Sequence, residues 1–140
     1  MIELDNRTDK NYNFPLLEQI AEALTKEDIE LILTDNNEIA EINREFRNID
    51  KPTDVLSFPS EPFPGAPLGS IVISVDKVQS VANDLGHSED DEIALLFIHG
   101  ILHLLGFDHE VDNGEMRQKE VELIEKFALP KSLIVRTLEE

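Results

Sequence analysis

An α+β fold, with helices covering one small mixed sheet, is predicted by two features of this sequence. Apolar residues switch between alternate spacing and three-and-four spacing, in the order strand, helix, strand, helix, strand, strand, helix, helix, helix. The second-to-last helical segment is apolar nearly all round, which places it at the centre of the molecule. At 140 residues the chain fits one domain, 1–140, with a single hydrophobic core.

Each element follows from local chemistry. Residues 2–5 read as a short strand. Pro15 starts a helix whose apolar face is Leu16, Leu17, Ile20, Ala21 and Leu24. Ile29, Leu31 and Leu33 form a largely buried strand. Asp35 then caps a helix with Ile39, Ile42 and Phe46 on its apolar face. Prolines 52, 59, 62, 64 and 67 break any helix across residues 48–68, leaving Val55-Leu56-Ser57-Phe58 as a short strand at a sheet edge. Gly69 leads into the strand Ser70–Ser74. A helix follows through Val75, Val78, Val81, Ala82 and Leu85, and Gly86 ends it. Ser88 with Asp91 begins the central helix, its first turn acidic to complement the positive helix end; it stops at Gly106. A last helix is expected from about Asn113 to Phe127, where Pro130 follows.

Composition narrows the function classes. Hydrophobic residues at 41% and charged residues at 30% fit a folded globular chain. The longest apolar stretch, within 93–105, is too short to span a bilayer, and the first residues carry neither a basic start nor an apolar run. A cytoplasmic protein without membrane association is therefore expected. With no cysteine, disulfides and thiolate metal sites are excluded, so any metal has nitrogen and oxygen ligands. The formal charge of −18, from 12 basic and 30 acidic residues, repels nucleic acid at long range. The basic residues are unevenly placed: none lies between Lys77 and Arg117, whereas Arg44, Arg47 and Lys51 fall close together.

Three of the four histidines fall within residues 99–109. His99 and His103, four apart on a helix, project from one face about 6 Å apart along the axis, a separation that two imidazoles on one zinc tolerate. Gly106 can turn the chain sharply and bring His109 back as a third ligand. Three ligands leave a fourth position for water, the catalytic arrangement of zinc. Two helical histidines alone would more often be packed core residues; the third, just past a helix-ending glycine, reverses the balance toward one Zn²⁺ per chain. His87, on a polar turn, reads as a plain surface histidine. The spacing H-x-x-x-H-x-x-G-x-x-H also matches metzincin proteases, but their general base, Glu, is replaced here by Gly100. A peptidase is thus the second reading.

The segment His99-Gly100-Ile101-Leu102-His103-Leu104-Leu105-Gly106-Phe107-Asp108-His109 resembles the metal motif of the YbeY family, bacterial rRNA-maturation endoribonucleases. Arg47-Asn48-Ile49-Asp50-Lys51-Pro52-Thr53-Asp54-Val55-Leu56-Ser57-Phe58-Pro59 is a second matching block, Leu68–Ser74 a third, and Met116-Arg117 with Glu120 a fourth. Ser70 departs from the family, which usually has Asp there. The resemblance implies a zincin-like core and a zinc-dependent, single-strand-specific endoribonuclease acting in small-subunit rRNA maturation and ribosome quality control. It implies His99, His103 and His109 as zinc ligands, and Arg47 together with His99 as catalytic residues. The partners it implies are single-stranded RNA and rRNA, the small ribosomal subunit and assembly factors, with no DNA substrate.

Physically, zinc lowers the pKa of bound water to about 7 and polarises phosphoryl oxygens. Arg47 can clamp the phosphate, although a surface arginine at a helix end is its bland alternative. Lys51 is a weaker phosphate contact, Asp54 a turn or strand-edge residue, and Asp108 an acceptor that could orient a ligand imidazole. The acidity of the chain leaves a third reading open: a zinc-containing ribosome-assembly factor that acts mainly by binding.

Overall fold

The computed structural model describes residues 1–108 and 113–130. Among them the elements run β1 (Ile2–Asn6), α1 (Phe14–Leu24), β2 (Ile29–Thr34), α2 (Asn36–Arg47), β3 (Val55–Pro59), β4 (Gly69–Ser74), α3 (Val75–Leu85), α4 (Glu89–Leu104) and α5 (Glu115–Lys126). The four strands make one mixed sheet in the order β1-β2-β4-β3. β1 and β4 flank β2 in parallel, with Leu4 opposite Leu31 and Leu31 opposite Ile71. β3 pairs antiparallel with β4, Val55 opposite Ile73 and Pro59 opposite Gly69. The sheet therefore ends at β3, where proline is tolerated because no further strand asks for its missing N–H.

Alternation along the strands sorts the two faces. Ile29, Leu31 and Leu33 of β2, with Ile71 and Ile73 of β4, join the main core formed with α1, α3 and α4. The opposite face, Ile32, Val72, Leu56 and Phe58, is closed by Ile39 and Ile42 of α2. α4 is buried along most of its length, from Glu92 to Leu104, as its all-round apolar pattern predicts. Its start is capped by the Ser88 hydroxyl, which accepts from the Asp91 N–H at 3.0 Å. Asp35 caps α2 and Ser74 caps α3 in the same way. Gly86 and Gly106 both carry positive φ, +74° and +98°, at the turns expected of them.

Four expectations change. α5 begins at Glu115 rather than near Asn113, and α4 closes at Leu104, one residue short of its cap Leu105. Phe46 does not join the covered face of α2: it is 64% exposed. His87 is not a surface residue either. Its side chain is only 2% exposed because Nε2 meets the wholly buried Glu92 carboxylate at 2.8 Å, turning the ring inward against the first turn of α4. No helix among the described residues is long and apolar enough to cross a membrane.

Candidate metal centre and cleft

α4 carries His99 and His103 on the side of the helix that meets the open edge of the sheet. Their rings lie edge to face, centroids 4.6 Å apart, and their Nε2 atoms converge to 3.1 Å. Two nitrogen ligands on one tetrahedral zinc stand about 3.3 Å apart when each bond is about 2.0–2.1 Å. The donor pair thus has the separation a shared ion needs.

Behind it stands Glu120 of α5. Its carboxylate, 1% exposed, meets His99 Nδ1 at 2.8 Å. A proton on Nδ1 directed at this carboxylate would leave Nε2 unprotonated toward His103, the tautomer that metal binding requires. His109, the third expected ligand, lies outside the described residues. Among the described residues no group of three or more His, Asp or Glu side chains converges on one point.

In front of the histidines lies a cleft of about 530 Å³ lined by Arg47, Thr53, Asp54, β3 from Val55 to Ser57, Pro59, His99, His103 and Asp108. Arg47 occupies the last turn of α2, where a cation also suits the negative helix end. Asn48 beyond it takes the left-handed conformation, φ +59°, and turns the chain toward β3. The Asn43 amide fixes that turn by donating to the Lys51 carbonyl at 2.9 Å. Of the basic trio expected from sequence, Arg47 is the member that lines the cleft. Ser57 anchors the other wall, its hydroxyl donating to the Gly100 carbonyl at 3.3 Å.

Gly100 explains why no peptidase base follows His99. A Cβ built there would meet three side-chain atoms of buried Ile71 at 3.0–3.2 Å, so a side chain at this position would point into the packed contact between α4 and β4. Glu120 was visible in the sequence only as part of a motif. A further signal was present: Met116, Glu120, Leu123 and Ile124 share one buried face of α5, which puts a carboxylate at a core position. Ser70, which departs from the family pattern, donates to Glu30 at 2.7 Å on β2 and lies outside the cleft lining.

Comparison with known proteins matches this architecture. A family model described as Endoribonuclease YbeY covers residues 3–128. The Endoribonuclease YbeY of Nautilia profundicola is 63% identical over 97% of this chain and 98% of its own length. That of Helicobacter pylori is 57% identical over 99% of both. A solution structure from Thermotoga maritima, TM1509, superposes with a TM-score of 0.62 at 30% identity, covering 91% of this chain and 89% of that one. With the family model matched over residues 3–128 and relatives 57–63% identical over nearly their whole length, the chain belongs to the YbeY family of endoribonucleases.

Proposed function

We propose that this endoribonuclease is zinc-dependent, selective for single-stranded RNA, and acts in the cytoplasm on the 3′ end of small-subunit rRNA and in ribosome quality control. The observation that carries the reading is the pair of convergent imidazole nitrogens at the floor of a cleft whose far side carries Arg47. His99, His103 and His109 would hold the ion in a zincin-like setting, a buried helix behind an edge strand. When bound, zinc supplies Lewis acidity at a phosphoryl oxygen and at the attacking oxygen.

The chain's own residues do the rest. Glu120 keeps the His99 proton on Nδ1 and fixes the ring against rotation. The Arg47 guanidinium engages the scissile phosphate through two parallel N–H donors and stabilises the charge that builds on it in the transition state. The edge of β3 and the 53–54 turn confine the approach, so a flexible strand can bend one phosphate to the histidines while a rigid A-form duplex cannot. The peptidase reading is disfavoured because position 100 is glycine and faces buried Ile71, leaving no base beside His99.

Metal analysis of purified protein, paired with cleavage of matched single- and double-stranded RNA, tests the proposal. About one zinc per chain is expected, with cleavage of the single strand well above the duplex, lost to chelator and restored by zinc. RNA binding without cleavage in the zinc-loaded protein would favour the assembly-factor reading. Hydrolysis of casein but not RNA would restore the peptidase.

A further inference from the structure

The last turn of α2 leaves an aromatic ring in the open, next in the chain to Arg47 of the cleft. Phe46 is 64% exposed, yet its ring is held in place: it lies 5.4 Å from the ring of Phe58, the two planes tilted by 59°. Phe58 sits on β3 between Ser57 and Pro59, both cleft residues, and Arg47, the residue after Phe46, lines the cleft as well. The edge strand has two sides. Ser57 bonds to α4, on the side of the histidines, whereas Phe58 packs among the α2-facing residues. A strand crossing this edge would therefore place a phosphate on the histidine side and an adjoining base on the Phe46 side.

Charge selects the occupant. In a chain with 12 basic and 30 acidic residues, Arg44, Arg47 and Lys51 all lie within five positions of this ring in sequence, with Glu45 and Asp50 among them. Cations for the backbone beside an exposed aromatic face for the base are the combination by which single strands are held without sequence preference. We propose that Phe46, backed by Phe58, is a stacking platform for the nucleobase next to the phosphate engaged by Arg47. This rests on the RNA-cleaving reading above and names the residue that positions the strand for it.

The test uses a single-stranded oligoribonucleotide with one cleavage site, and versions with one abasic residue stepped through the flanking positions. Binding is followed by fluorescence anisotropy and turnover by kcat and KM. Phe46→Ala should raise Kd and KM about 10-fold with little change in kcat, Phe46→Trp should restore both, and Phe46→Leu should not. One abasic position should cost the wild type a similar factor and cost Phe46→Ala nothing more. Full restoration by Phe46→Leu, or abasic penalties equal in wild type and Phe46→Ala, would overturn the platform. If Phe46→Ala unfolds, the Phe46→Leu and Phe46→Trp pair with the abasic series decides alone. A wild type that shows the abasic pattern in binding but cleaves nothing would refute the nuclease proposal while leaving the platform standing.

Discussion

At the residue scale the site is a matter of which nitrogen carries which proton. The His99–His103 spacing was legible in the sequence because helix geometry alone brings positions four apart together. The Glu120 contact was not, since it depends on how α5 docks on α4, a long-range packing event that no local pattern encodes. Its consequence is measurable. Glu120→Gln keeps the volume but removes the charge that holds the His99 tautomer, so zinc affinity should fall about 10–100-fold in a competition titration with a chelating dye. Unchanged affinity would make Glu120 a packing residue only. Arg47 sits apart from the histidines, on a different element. Arg47→Ala should thus leave zinc content and melting temperature nearly unchanged while cleavage drops about 10²-fold or more. Arg47→Lys should rescue only part, because an ammonium cannot make the paired contact of a guanidinium. Normal turnover in Arg47→Ala would return the residue to the status of a helix-end cation.

At the scale of elements, local chemistry predicted the caps, the breaks and the edge strand correctly, since Asp35, Ser88, Gly86 and Pro59 each act within a few residues. The strand order and the inward turn of His87 were not legible, because both are decided by partners distant in space or by a buried carboxylate whose burial the sequence does not announce. Two glycines show how tightly α4, β3 and β4 are fitted. A Cβ at Gly69 would come within 2.5 Å of the Phe58 carbonyl oxygen and 2.7 Å of a Leu104 methyl. Backbone cannot yield as a side chain can, so Gly69→Ala should cost about 3 kcal/mol in denaturant unfolding, the upper end of overpacking. Gly100→Ala meets only side-chain atoms of Ile71 and gains about 1 kcal/mol in helix propensity, so its net cost should be smaller. A reversed ranking would contradict this packing.

The start of α2 is tied to β1 and β2 by a second device. Glu38 accepts from the Thr34 hydroxyl at 2.6 Å and from Arg7 at 2.8 Å, and these contacts hold its carboxyl below the usual value, Thr34 contributing most. A lowered folded-state pKa gives stability that is complete above the unfolded value of about 4.3 and is lost as pH falls through the folded one. The side chain is 38% exposed, so the effect is modest. Glu38→Gln should lower the melting temperature slightly at neutral pH and by less in acid. A mutant deficit that grows on acidification would reverse the assignment.

For the whole molecule the deciding quantity is the charge of −18. It acts on stability and on substrate binding with opposite signs. Like charges spread over the surface repel one another in the compact state, and at low salt the screening length is long enough to sum many of them. Raising salt from ~0.05 to ~0.5 M shortens that length from well over 10 Å to about 4 Å. The melting temperature should therefore rise with salt. RNA binding should weaken over the same range, but only gently. No Lys or Arg lies between Lys77 and Arg117, so the histidine helix brings no Lys or Arg, while Arg47 lines the cleft and Arg44 and Lys51 lie close to it in sequence. With about three phosphates neutralised at about −0.7 each, the slope of log affinity against log salt for a single strand should be near −2. Anisotropy titrations and thermal melts on the same samples check both signs together. A slope several times steeper would require a basic surface much larger than this cluster, and a melting temperature that falls with salt would mean that attractive pairs, such as Arg7 with Asp5 and Glu38, outweigh the repulsion.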